Sequence, residues 1–236
     1  GQPSDPLEYL ERIRFLRDSD AYNSLSIEGY RVDDDLIKKI REGAFNPDNS
    51  ESDRRTIDAL AAKGYLEASS LVSQSISRVL AGSEASGIVG QDHHDWHQAL
   101  FQPSVQAGII KQSDLAGYRG HQVFIKNSNH VPLPSSAVID AMEALFDILE
   151  SEPHAGVRAV LGHFIFVYIH PYGDGNGRLA RFLMNAMLAS GGYPWTIIHL
   201  DARDEYMSAL ESASVGGDIA PFARFVVSQL ERTARI

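Results

Sequence analysis

The chain has 236 residues, 44% of them hydrophobic, enough to bury a sizeable core in one large or two small domains. A formal net charge of −10 argues against a general surface for nucleic acid or an anionic membrane, so any affinity for phosphate has to be local. With no cysteine, disulfides, thiolate catalysis and cysteine zinc sites are excluded.

Leu7, Leu10, Ile13 and Leu16 recur at helical spacing over Pro6 to Arg17, and a second short helix is expected from Asp20 to Glu28, stopped at Gly29. Asp33 can cap a helix over Asp34 to Arg41, before a turn at Phe45 to Asn49. Ile57, Leu60, Ala61, Tyr65, Ala68, Val72, Ile76 and Val79 mark one long amphipathic helix from Asp53 to Leu80. A small-residue connector, Ala81 to Gly90, precedes a helix over Gln91 to Phe101. Tyr118 to Val131 is the one credible strand pair, with Val123, Phe124 and Ile125 facing His130 and Val131 across Asn127 to Asn129, and Pro132 and Pro134 ending it. Ser135 can cap a helix carrying Val138, Met142, Leu145 and Leu149, and two further helices are expected near Ala202 to Ser212 and Ile219 to Arg232. The class is all-α with one short β-hairpin. The expected organisation is an N-terminal helical region over residues 1–90 and a core over residues 91–236.

Between those helices, Val157 to Ile169 and Phe182 to Ala189 are apolar on nearly every face, as central helices are. They flank the polar run His170-Pro-Tyr-Gly-Asp-Gly-Asn-Gly-Arg-Leu-Ala-Arg181, whose proline and glycines force a tight reversal. Arg178 and Arg181 share a face of the first turn of the second helix, where cations oppose the helix dipole unless an anion binds. Backbone N–H groups of Gly175, Asn176 and Gly177 can cradle phosphate oxygens, and the arginines add charge-assisted hydrogen bonds. Asp174 offers a hard oxygen ligand suited to Mg2+, and His170 is the group able to take a proton near neutral pH. Taken singly, each has an ordinary structural explanation: a core histidine, turn glycines, arginines paired with distant carboxylates. Their order and spacing argue for a site.

The run resembles the motif of the Fic domain, His-Pro-Phe-x-Asp/Glu-Gly-Asn-Gly-Arg-x-x-Arg, matching every specified position except Tyr172, where the family usually has Phe. The resemblance implies a mainly helical Fic core and transfer of AMP from ATP to a Ser, Thr or Tyr hydroxyl of a protein. In that scheme the phosphates of Mg2+-bound ATP lie over Gly175 to Gly177. Asp174 holds the metal, Asn176 orients the α-phosphate, Arg178 and Arg181 clamp the outer phosphates, and His170 is the base. It also implies that the hairpin at 118–131 is a flap docking the protein substrate by strand addition, with Val123, Phe124, Ile125 and Lys126 also covering the nucleotide base. Tyr206 falls where relatives place an aromatic beside adenine, whereas Ser214 to Asp218 departs from the Asn-x-Gly-Asp found there in many relatives.

Upstream, Ser24 to Gly29 fits Ser/Thr-x-x-x-Glu-Gly/Asn, which in Fic proteins marks an inhibitory helix, here about residues 20–29, whose glutamate pairs with the motif's second arginine. Glu28 on Arg181 would compete with the γ-phosphate and keep the enzyme autoinhibited. Two other functions fit: a deAMPylase in which Glu28 positions water, and a noncatalytic nucleotide-sensing module. His93 and His97 lie one helical turn apart, a spacing open to metal but without a third strong ligand nearby. Expected partners are a protein substrate, the chain itself through self-modification, and a second copy, since many relatives dimerise, with neither nucleic acid nor a membrane. No run approaches the roughly 18 apolar residues of a membrane span and no signal-peptide pattern is seen, so a cytoplasmic protein is expected. Gly1 in place of Met leaves room for further sequence at either end.

Overall fold

A computed structural model describes residues 5–43 and 53–236, and the expected turn at residues 45–49 lies outside them. The described residues form nine α-helices: α1 (Pro6–Ile27), α2 (Asp34–Arg41), α3 (Asp53–Leu80), α4 (Ala85–Gln106), α5 (Val138–Ser151), α6 (Ala155–Ile169), α7 (Asn176–Ser190), α8 (Arg203–Ser214) and α9 (Ala220–Thr233). No helix among them is long and apolar enough to cross a membrane.

α7 is the axis of the fold, buried along nearly its whole length. Phe182 projects from it against Tyr65 of α3, with ring centroids 5.0 Å apart, and edge-on against Trp96 of α4 at 6.4 Å. α6 packs alongside with Ala159, Gly162, His163 and Phe166 buried, but its opposite side reaches the surface. The two all-apolar helices of the sequence thus differ: α7 is central and α6 flanks it. One hydrophobic cluster runs from Tyr9 and Leu16 in α1 through α3 and α4 to Phe222 and Phe225 in α9.

Three expectations change. The polar run Asp18 to Asp20 does not interrupt α1, because Asp20 is buried and accepts a hydrogen bond from the Tyr65 hydroxyl at 2.7 Å, turning an apparent break into a contact. Residues 85–90, expected as connector, are the first turns of α4, where Glu84 caps the backbone N–H groups of Ser86 and Gly87 at 2.9 and 2.6 Å. Ser135 makes no capping bond to α5, which is entered through a short 3-10 turn at Ser135–Ala137.

The β-hairpin is also corrected: residues 118–131 contain no strand. The backbone reverses at Asn127 (φ 61°), but side chains replace the ladder. Gln122 Nε2 donates to the Pro132 carbonyl at 2.9 Å. Glu211 of α8 accepts from Ser128 Oγ at 2.5 Å and from the Asn129 N–H at 2.8 Å, and His130 Nε2 donates to the Tyr168 carbonyl at 2.8 Å. Pro132 and Pro134 have no N–H to give a ladder, so the segment is held open and extended by remote groups.

Candidate active site

α6 ends at His170, whose backbone enters the left-handed region (φ 54°, ψ 61°), unusual for a residue other than glycine. The turn points the side chain out of the helix line. Its Nδ1 lies 3.2 Å from the Val167 carbonyl, which can only accept, so Nδ1 carries the hydrogen and the Nε2 lone pair is free. Burial lowers the imidazole's pKa below the ordinary histidine value, and Arg119 adds to that against the carboxylates of Glu28 and Asp174. At neutral pH it is an unprotonated base.

The loop is closed from within and braced from α4. Asn176 is buried, with Oδ1 accepting from the Tyr172 N–H and Nδ2 donating to the Tyr172 carbonyl, both at 2.9 Å. These two bonds close the loop and use one of the two Nδ2 hydrogens, which leaves the other for the α-phosphate that the sequence suggested. Tyr172 stacks on His97, with centroids 3.8 Å apart and planes 11° from parallel, and its hydroxyl meets His94 Nδ1 at 2.7 Å. Burial pushes that hydroxyl's pKa far up, so it stays the donor. His97 Nε2 donates to the Asp174 carbonyl at 3.2 Å, and burial holds this imidazole neutral, down to about 4. His93 is bonded to the Val89 carbonyl and the Tyr118 hydroxyl, and no group of three metal-ligating side chains occurs among the described residues. His94 and His97 brace the loop, and His93 ties α4 to Tyr118.

Gly175 (φ 87°) is the N-cap of α7, and no side chain caps that helix, which leaves the N–H groups of its first turn without the usual side-chain acceptor. Arg178 is 1% exposed, its guanidinium held between the rings of Tyr30 and Phe101 at 5.2 and 5.0 Å, with Nη2 3.2 Å from Asp174 Oδ1. Arg181 donates from Nε to Ser24 Oγ at 2.8 Å, and from Nη2 to the Ser24 carbonyl at 3.1 Å and Glu28 Oε1 at 2.6 Å. Burial opposes the charge on Arg181, but the Glu28 carboxylate more than compensates and keeps it fully protonated. A Cβ on Gly177 would collide with Glu28 Oε1, so only glycine there lets the carboxylate lie against the start of α7. Arg178 Nε and Nη1 and Arg181 Nη1 are buried with no hydrogen-bond partner among the described residues. Five-donor guanidiniums with idle buried N–H groups call for an anion.

The remaining expected residues stand apart from this loop or at its rim. Asp174 is at the mouth with its carboxylate largely exposed. Phe124 is 77% exposed and Lys126 is exposed, with Val123 and Ile125 half-buried. Tyr206 is buried, its hydroxyl 3.0 Å from His163 Nε2 and its ring against Phe225, which leaves no face for a base to stack on. Sequence reasoning missed the aromatic sandwich on Arg178 and the buried Asp20, whose carboxyl burial pushes up to about 6 against the pull of Tyr65 and Arg181. For the sandwich there was a signal: Phe101 lies one turn beyond His97.

Residues 91–188 match the Fic/DOC family. Over 120 residues the chain is 45% identical to a protein adenylyltransferase Fic of Nematostella vectensis and 38% identical to one of Drosophila willistoni, in each case 49% of this chain. It spans only about a quarter of those relatives, 27% and 24% of their lengths. Over 98% of its length the chain superposes on Fic-1 from C. elegans (TM-score 0.73, 22% identity, 71% of that chain). It covers 89% of a Fic domain-containing signaling protein from Bacteroides thetaiotaomicron (TM-score 0.72, 21% identity, 98% of this chain). The shared architecture therefore extends past residues 91–188, the segment that matches the Fic/DOC family, to α1 and α9.

Proposed function

We propose that the chain is a protein adenylyltransferase that moves AMP from ATP to a protein hydroxyl and is held in check by Glu28. The observation that carries this reading is the pair of buried arginines with idle N–H groups beside an uncapped helix start, one loop away from a histidine with a free Nε2. The 45% identity to a named adenylyltransferase across this segment supports AMP as the group moved.

The triphosphate fits the idle guanidinium N–H groups and the backbone N–H groups of Asn176 and Gly177, that of Gly175 being taken by Asp174 Oδ1. Mg2+ fits the exposed Asp174 carboxylate, since that ion takes one or two carboxylates together with phosphates and water. When bound, it would neutralise charge on the phosphate oxygens. His170 Nε2 takes the proton of a Ser, Thr or Tyr hydroxyl as that oxygen bonds to the α-phosphorus. The bond from the α-phosphorus to the bridging oxygen breaks, and pyrophosphate leaves. The exposed Phe124 and the extended 118–131 segment offer the acceptor protein a main-chain edge, even without a hairpin. Glu28 takes up Arg181 and lies against Gly177, so a γ-phosphate meets an occupied cation and a like charge.

Glu28→Gly tests this. Incubated with Mg2+ and ATP, the variant gains an AMP-sized mass on itself or on added acceptor protein at least tenfold faster than the wild type, the effect of about 1.4 kcal/mol. Intact ATP binding with no AMP transfer to either protein would overturn the proposal.

A further inference from the structure

We propose that Arg119 is the positioning residue that locks His170 in its reactive orientation and in register with the 121–133 segment, by donating to backbone carbonyls of both. The inference rests on the reading above in so far as that makes His170 the base.

The need for such a residue comes from how α6 ends. The last carbonyls of a helix have no intrahelical partners, and the usual remedy is a bond from N–H groups just past a left-handed residue. Here the left-handed residue is His170 and the next is Pro171, which has no N–H. Arg119 takes over. Its Nε donates to the His170 carbonyl at 2.7 Å and its Nη2 to the Ile169 carbonyl at 3.3 Å, while its own backbone N–H donates to the Pro171 carbonyl at 2.9 Å. The same guanidinium reaches the other way, from Nη1 to the His121 carbonyl at 2.9 Å and from Nη2 to the Leu133 carbonyl at 2.5 Å. These two carbonyls flank the exposed stretch bearing Val123 to Lys126.

Arg119 is 6% exposed, and burial alone pulls its guanidinium below the ordinary value, with no carboxylate in opposition. A buried cation paired only with carbonyls is a poor stabiliser, but it is well placed against the negative end of the α6 dipole. The planar fork matters as much as the charge. Bonds to four carbonyls from two chain segments suit the five donors of a guanidinium, whereas an ammonium offers three donors from one point. One side chain therefore fixes the base on one side and both ends of the candidate docking segment on the other.

The test uses the full chain with 15N-labelled histidine, His170 being assigned by its absence in His170→Ala. In the wild type the ring of His170 is a single tautomer with hydrogen on Nδ1. Arg119→Lys and Arg119→Gln, both retaining a native far-UV spectrum, mix the two tautomers. In the Glu28→Gly background, the same substitutions lower AMP transfer about 100-fold, the scale of a misplaced catalytic group, while ATP affinity moves less than about threefold. Adding His170→Ala to Arg119→Lys costs little more than His170→Ala alone, because groups acting as one unit are not additive. An unchanged His170 ring spectrum overturns the proposal, as does a transfer rate preserved in Arg119→Lys. Loss of the native fold in both variants also overturns it, since the side chain would then hold the fold and not the base. Should the Glu28→Gly parent transfer no AMP at all, the transferase reading fails, and the ring spectrum alone still decides the role of Arg119.

Discussion

Two stretches meet at His170 and are held by opposite means. The 170–181 loop is closed mostly by neighbours in sequence: Asn176 on Tyr172, Asp174 on the Gly175 N–H, Arg178 back on Asp174. The 118–134 segment is held mostly by distant ones: Glu211, Tyr168, and the carbonyls that Arg119 joins. The loop is therefore rigid by its own composition, whereas the segment is only as ordered as its remote anchors. Such a division suits a transferase, in which the reacting groups need fixed geometry and the acceptor edge needs to adapt to a partner.

The largest break falls on the loop's chemistry. His170→Ala lowers AMP transfer by about 10³-fold, within the usual range for loss of a general base, with the melting temperature nearly unchanged because the side chain's one hydrogen bond among the described residues is to the nearby Val167 carbonyl. The wild-type rate has a matching pH signature. Since burial lowers the pKa of His170, the unprotonated form persists below the ordinary histidine value of about 6.5, and transfer falls only at still lower pH. An acid limb centred above 6.5 would remove His170 as the base.

Next in size is the loop's closure. Asn176→Ala leaves the buried N–H and carbonyl of Tyr172 without partners, at a cost of about 2–4 kcal/mol, so both melting temperature and transfer rate drop together. If the rate fell with no change in stability, Asn176 would act on nucleotide and not on loop closure, and the contrast between a self-closed loop and a remotely held segment would weaken.

How much of this was legible follows the same division. The helices with a clear 3.6-residue period, α3 and α5 among them, and the loop with its flanking helices were readable because each rests on residues close in sequence. Ser24 and Glu28 were found through the resemblance to the inhibitory pattern of Fic proteins, and both do reach Arg181. What was not legible depends on long-range partners. Asp20 reads as a helix break until Tyr65 is seen beside it. Val123 to Ile125 have the apolar, β-prone composition of a strand, but whether they pair depends on Gln122 and Glu211, and the latter lies more than eighty residues away. The ring of Tyr206 could be placed in order along the chain but not in depth, and depth is what removes it from the base.

The smallest effect belongs to that remotely held segment. Glu211→Gln keeps the shape of the side chain but withdraws the charge that accepts from Ser128 Oγ and the Asn129 N–H, bonds that also hold this carboxylate's pKa below its ordinary value. Hydrogen bonds to a charged group contribute about 1.5–3 kcal/mol, less where water competes at a partly exposed site such as this. The segment then samples more conformations before an acceptor docks, which raises KM for a protein acceptor by about 3- to 10-fold. The loop does not lean on Glu211, so ATP affinity, kcat at saturating acceptor and the tautomer of His170 should all stay where they were. Steady-state kinetics on one acceptor protein would show the split. A fall in kcat with KM unchanged would mean that order in the segment is transmitted to the base, and that the two stretches act as one body with Arg119 as the rigid link between them.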